Sequence, residues 1–414
     1  MKLYKNSIGI GDRFGKQGIA QLNAMVLAEE QGIAISPVWN KSFREHYIIG
    51  TTQEAVRAEA DASVKSLGWN HAYFVDADHI NLNTVDDFIP HSNFFTLDVA
   101  DAIGVQADPE DIQNFAESHL SLIGHLSIHH LDEKIEINSG FLYQAAEKYL
   151  FAVQEAGRIY RHIKDKKSEP FMTEISMDET DSPQTPQELL LILAMIQAEE
   201  IPAETIAPKF SGWFNKGVDY VGDPDKFANE FEADIAVIEY AIQNFDLPVQ
   251  LKLSVHSGSD KFKLYPIIRQ ILKKYQAGVH LKTAGTTWLE ELIGLAESRG
   301  DGLQIAKEIY RTAFHRFDEL CKPYFSVIDI HPKRLPNPED VNEWSSRQYV
   351  DALRHDQAHP AYNMHFRQLL HVGYKVAAEL GDRYLNALQE NQKIVSRHVT
   401  ENLLQRHIKP LFAD

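Results

Sequence analysis

An α/β fold, a (β/α)8 TIM-type barrel with a helical insertion and a C-terminal helical extension, is predicted from three features of the sequence. Eight short β-rich runs are each followed by polar side chains, segments of helical periodicity separate most of them, and 414 residues with 44% hydrophobic content can fill one large core. Strands alternating with helices imply parallel pairing, because parallel neighbours need a crossover long enough to hold a helix. In such a barrel the carboxyl ends of the strands converge on one mouth, where chemistry is placed.

In chain order, "NSIGIGDRFG" runs into Asp12 and Arg13, "IAISPVWNK" ends near Asn40, and "AYFVDADH" ends in Asp76, Asp78 and His79. Next come "PFMTEISMDE" with Glu174, Asp178 and Glu179, and "ETIAPKF" with Lys209. "VQLKLSVHSGSDK" carries His256 and Asp260, "GVHLKTAGT" carries His280, Lys282 and Thr283, and "YFSVIDIHPKR" carries Asp329 and His331. "FFTLDVADAIG" also qualifies as a strand, so this choice of eight has an alternative. Between most runs lie segments such as "TPQELLLILAMIQAEE" and "LYPIIRQILKKY", with apolar residues at steps of three and four. The stretch 107–167 is longer and more helical than one crossover needs, and is expected to be an insertion forming a lid or a homo-oligomer contact. The expected organisation is a barrel domain over 1–335 and a helical extension over 336–414 packed on it.

Composition narrows the partners. A formal net charge of −18 leaves no broad basic field to hold a phosphate backbone, so nucleic acid is not expected. The single cysteine, Cys321, excludes an internal disulfide framework and any multi-cysteine metal site. The start "MKLYKNSIGIGD" lacks an apolar signal core, and no later apolar run reaches the length of a membrane span without a charge. No membrane partner is expected, and a cytoplasmic location is.

His79, His256 and His280 each close a different apolar strand. Singly, each reads as a hydrogen-bonded structural histidine; together, brought to one mouth, they suit a divalent metal such as Zn, Mn, Co or Ni with positions left open for a sugar's oxygens. Asp76 and Asp78 should project from one side of their strand. A D-x-D after an apolar strand also occurs in manganese-binding nucleotide-sugar transferases, and it can be a solvated strand end. Lys209 is either a proton-transfer group, a Schiff-base former or an ion-pair partner. Arg13 and Lys282 are candidates to hold a substrate carboxylate, against pairing with neighbouring acids. "GIGDRFG" resembles a phosphate loop but lacks its full pattern. His129 and His130 are expected at the surface, and Trp39, Trp213 and Trp288 either stack on a sugar or pack in a core.

"YFVDADHINL", "ISMDETDSPQTP", "IAPKF" followed by "FNKGVDYVGD", "LKLSVHSGSDKFKLYPII" and "HLKTAGTTWLEEL" together resemble the tagaturonate/fructuronate epimerase family of hexuronate catabolism. The resemblance spans roughly Ser7 to Leu292, and is weakest across 107–167 and the C-terminal helices. It implies a metal-dependent isomerase acting on a small sugar acid, with Asp78 as proton acceptor and His79, His256 and His280 as metal ligands. The opposing proton donor falls among Asp178, Lys209 and Asp219. Because the inverted carbon is beta to the ketone, simple enolisation would invert the wrong centre. A retro-aldol route, in which a carbon–carbon bond opens and recloses, solves this. A metal-dependent aldolase, a ketol-isomerase and a non-catalytic carbohydrate-binding barrel are the alternatives.

Overall fold

The structure, a computed structural model, describes residues 2–131, 134–283 and 286–413. Strands β1 (Asn6–Gly11), β2 (Ser36–Ser42), β3 (Phe74–Ile80) and β4 (Phe94–Asp98) are followed by a separate antiparallel pair, β5 (Gly124–Leu126) and β6 (Ile135–Ile137). Then come β7 (Met172–Ser176), β8 (Thr205–Ala207), β9 (Lys252–Val255) and β10 (Val279–Leu281). The eight strands β1–β4 and β7–β10 pair in parallel in the closed order β1-β10-β9-β8-β7-β4-β3-β2.

Closure corrects one expectation. β10 returns to β1 through Ser7 opposite His280, so the ring is complete before "YFSVIDIHPKR" is reached, and the strand it needs is "FFTLD". The segment 325–330 forms no strand. Its Val327 carbonyl accepts from the Lys216 amide at 2.8 Å, and Val327, Ile328 and Ile330 pack at the edge of the core.

The barrel interior is layered, as alternation along each strand requires. Leu3, Val38, Phe74, Phe94 and Met172 form a small apolar cluster separate from the main core. Two residues further along the same strands stand Asn40, Asp76, Thr96 and Glu174, all buried. An apolar floor thus carries a polar layer, and the polar layer opens into the mouth. Outside the strands, the helix Pro186–Ala198 starts in a capping box between Thr185 and Glu188 and buries every side chain from Leu189 to Ile196 against the barrel and flanking helices.

Within 107–167, the helix Ser139–Lys166, capped by Asn138, connects β4 to β7 and packs beside Pro186–Ala198. It therefore serves as the crossover of its own βα unit. Beyond β10 the described chain is helical. Gln392–Glu401 lies along Thr286–Ser298 and Gly18–Glu29, where the Thr400 hydroxyl donates to the Ala20 carbonyl at 2.7 Å. Among the described residues no helix is long and apolar enough to cross a membrane. Trp39 and Trp288 are buried in the core, whereas Trp213, His129 and His130 are exposed.

Candidate active site and metal centre

A regular β3 would turn Asp78 and His79 to opposite faces. Its register with β4 breaks at that point: Ala77 opposes Phe95 and Ile80 opposes Leu97, so Asp78 and His79 together stand against Thr96. His79 adopts φ 52°, a left-handed conformation that is costly for a residue with a Cβ. This bulge lets both side chains line a cavity of about 410 Å³ at the barrel mouth.

Two carboxylates fix the two histidines there. The Asp78 Oδ1 lies 2.7 Å from Nδ1 of His79, and Glu174 Oε1 lies 2.8 Å from Nε2 of His256. A carboxylate accepting one imidazole N–H leaves the other nitrogen with its lone pair, the arrangement that orients metal-binding histidines. The nitrogens so exposed, His79 Nε2 and His256 Nδ1, lie 3.9 and 2.9 Å from Oδ1 of Asp178. The His256 Nδ1 is buried yet makes no hydrogen bond, so its approach to Asp178 is close without being aligned. Ligand atoms of His79, Asp178 and His256 all fall within 4.8 Å of one another, the one such group among the described residues. Two imidazole nitrogens and a carboxylate oxygen fit a divalent cation with open positions.

Charge is concentrated around this group. Burial would lower the His79 imidazole, but Asp78 and Asp178 hold it well above its usual value; His256 is raised likewise by Asp178 and Glu174. A cation entering between them must displace protons, so its affinity rises with pH. Beneath, the buried Lys282 ammonium sits 2.9 Å from Asp76 Oδ2, 2.9 Å from Asp78 Oδ1 and 3.0 Å from Glu174 Oε1. Burial opposes charge on Glu174, but Lys282 and His256 keep it well below the usual carboxylate range. Asp76 is instead raised by its burial, while Asp78 is lowered because Lys282 and His79 overcome the same penalty. The contacts of Asp78 with His79 and Lys282 are made by Oδ1, and among the described residues no hydrogen bond engages Oδ2.

Asp78, His79, Asp178, His256, Arg13 and Lys282 all line the cavity. Asp178, one of three candidates for the proton donor, stands in the group that could hold a cation. Arg13 is paired with Glu45 at 2.6 Å and stacked 3.8 Å over Tyr374. Lys282 is taken up by its three carboxylates. His280 does not join the group: it lies within β10, its Nδ1 2.9 Å from the Ser7 hydroxyl and its ring 5.6 Å from Phe94, level with the apolar floor. Burial there lowers its imidazole to about 3. Lys209 and Asp219 lie outside the lining. The Lys209 ammonium donates to the Thr180 carbonyl, and Asp219 accepts from the Tyr220 and Lys263 amides. "GIGDRFG" holds no phosphate cradle, since Asp12 itself accepts the amides of Phe14, Gly15, Lys16 and Gln17.

Three lining or supporting residues were not assigned roles from sequence. Glu174 ends a recognised strand but bears no metal-ligand signature of its own. Asp98 closes β4, the strand set aside as an alternative, and its half-buried carboxyl is raised by burial. Lys216 lies in a loop after β8, where strand endings give no cue.

The comparisons with known proteins agree with this architecture. A family model described as UxaE, tagaturonate epimerase, matches residues 1–411. A tagaturonate/fructuronate epimerase of Thermotoga maritima is 27% identical over 423 residues, covering 97% of this chain and 80% of the relative. The glycerol-complexed structure of fructuronate-tagaturonate epimerase UxaE from Cohnella laeviribosi superposes with a TM-score of 0.82 at 22% identity, covering 99% of this chain and 82% of that one. Its native form gives 0.81.

Proposed function

Because the chain belongs to the UxaE tagaturonate epimerase family and is an isomerase of that kind, we propose that it interconverts D-tagaturonate and D-fructuronate at this barrel mouth, with a divalent cation held by His79, Asp178 and His256. The observation that carries the proposal is the pair of carboxylate-held histidines turned toward Asp178, beside a carboxylate with one unengaged oxygen. When bound, the cation would supply Lewis-acid charge to the oxygens of the keto-acid.

The chain's own groups account for the proton movements. Oδ2 of Asp78 takes the proton of the hydroxyl on the carbon beta to the ketone. The adjacent carbon–carbon bond then opens, its electron pair passing to the keto fragment as an enolate, and the aldehyde fragment turns before the bond recloses. The new alkoxide is reprotonated by an acid other than Asp78. Lys209 and Asp219 do not line the cavity and Asp178 belongs to the candidate cation group, so we assign this role to Asp98, which lines the cavity and whose burial favours its protonated form. Lys282 keeps Asp78 ionised and its Oδ1 fixed, leaving Oδ2 to react. The barrel over 1–335 and the extension over 336–414 are proposed to act as one catalytic unit, since Arg367 of the extension donates to the Gly217 carbonyl and to Asp260 in two mouth loops.

Incubation of the purified protein with tagaturonate, with products resolved by chromatography, tests the proposal. Fructuronate is the expected product, lost on chelation and restored by one divalent ion, and Asp98→Asn should slow turnover without releasing metal. Small fragments or an aldose would replace the epimerase with an aldolase or ketol-isomerase, and binding without product would leave a carbohydrate-binding barrel.

A further inference from the structure

A keto-uronate carries a carboxylate into a cavity already lined by Glu45, Asp78, Asp98, Asp101, Asp178 and Glu179. Such a site needs a cation that its own acids have not neutralised. Lys282 is shared among three carboxylates and Arg13 is paired with Glu45 and covered by Tyr374. Arg44 lies on the exposed rim, 6.0 Å over Tyr324. Lys216 is half-buried in the lining, and among the described residues no hydrogen bond or ion pair engages its ammonium.

The loop that carries Lys216 is held at nearly every step. Trp213 and Val221 exchange backbone hydrogen bonds of 2.8 and 3.2 Å, and the Lys216 amide donates to Val327 at 2.8 Å. The buried Lys261 ammonium donates to the carbonyls of Asn215 and Val218 at 2.9 and 2.7 Å. Arg367, fully buried, donates to the Gly217 carbonyl at 2.5 Å and to Asp260 at 2.9 Å. Gly217 itself takes φ 74°, and a Cβ there would approach His371 to 3.1 Å. A backbone fixed this firmly spends no further ordering when an anion arrives, which is the condition for a selective contact.

From this geometry we infer that Lys216 is the residue that recognises the substrate carboxylate, and so sets the preference for a uronate over the uncharged ketose of the same skeleton. The inference rests on the proposed keto-uronate chemistry. Its chemistry is a charge-assisted hydrogen bond from the ammonium to the carboxylate.

The test compares wild type, Lys216→Met and Lys216→Arg, using KM and kcat for the keto-uronate and the inhibition constant of the uncharged ketose. Lys216→Met should raise the KM for the keto-uronate by about 10- to 100-fold, the span of a lost charged hydrogen bond. It should leave kcat, metal content and the ketose inhibition constant within about twofold, and Lys216→Arg should recover most of the affinity. Unaltered KM in Lys216→Met, or an equal loss for acid and ketose, overturns the assignment. A wild-type protein that turns over neither keto-uronate overturns the functional proposal instead, which separates the two failures.

Discussion

Replacing Glu174 by Gln tests the cation site through a residue that does not itself belong to the cation-binding group. Glu174 Oε1 meets His256 Nε2 at 2.8 Å, Lys282 at 3.0 Å and Thr96 at 3.2 Å, while Oε2 accepts from Thr205 at 2.7 Å. A glutamine with its carbonyl at the Oε1 position keeps the first three contacts, and its amide can donate to the Thr205 hydroxyl once that hydroxyl rotates. Shape and tautomer are thus preserved while the negative charge that makes His256 a stronger donor is lost. Loss of such an outer carboxylate weakens metal binding by about 10- to 100-fold, or roughly 1.4 to 2.7 kcal/mol. Competition with a chelator of known affinity measures this, with activity followed against free metal. His280→Ala is the control. It removes the Ser7 hydrogen bond and opens a void beside Phe94, costing roughly 2 to 4 kcal/mol of stability, yet metal affinity should be unchanged. Wild-type metal affinity in Glu174→Gln, or lost metal in a folded His280→Ala, would refute the assignment of His256 Nδ1 and restore the histidine triad expected from sequence.

Asp78→Asn should retain metal while turnover falls by about 10²- to 10⁴-fold, the loss of a positioned base, whereas His79→Ala should lose metal and activity together; metal analysis beside kinetics distinguishes them. His79→Gly should be more stable than His79→Ala by roughly 1 kcal/mol, because glycine relieves the left-handed conformation at φ 52°, and equal unfolding midpoints would argue against a strained bulge. For pH, His407 is held neutral at about 4 against an ordinary 6.5. Between those values the unfolded chain binds more protons, so this contribution is complete above about 6.5 and is lost as pH falls toward 4, roughly 2 kcal/mol between pH 7 and 5. Glu204 and Glu290, raised to about 7 by burial, act with the opposite sign. The informative quantity is therefore the difference from His407→Gln in urea unfolding, and the variant should lose about 2 kcal/mol less than wild type over that interval. An identical pH slope would show that His407 is not held neutral.

The barrel is legible in the sequence wherever a strand announces itself by an apolar run and a polar ending, as in "AYFVDADH" or "PFMTEIS". The same signal also marks "FSVIDI", which is not a strand, and leaves "FFTLD" as an alternative. Local propensity cannot separate the two. What separates them is that β10 already pairs with β1, and ring closure is a property of pairings between residues such as Ser7 and His280, far apart in the chain. The ambiguity has a chemical consequence, because Asp98 ends "FFTLD" and lines the cavity. Lys216 was illegible for another reason: its place depends on Arg367 and Val327, supplied by segments more than a hundred residues away.

Depth along the barrel axis is the other quantity a sequence conceals. His256 follows the end of β9 and reaches the mouth, whereas His280 is the middle residue of β10 and points at the floor beside Phe94, although both follow short apolar runs. Two residues further on, Lys282 reaches the polar layer that His280 falls short of, so a shift of one alternation step decides between a candidate cation ligand and a buried neutral imidazole. On β3 the alternation rule itself is broken. Asp78 and His79 can act together only because the chain leaves regular geometry between Ala77 and Ile80. The demand that both residues reach one cavity implies such a kink before any coordinates are known, and the local cost at His79 is tolerated because Asp78 then holds His79 Nδ1 and frees Nε2 for the site.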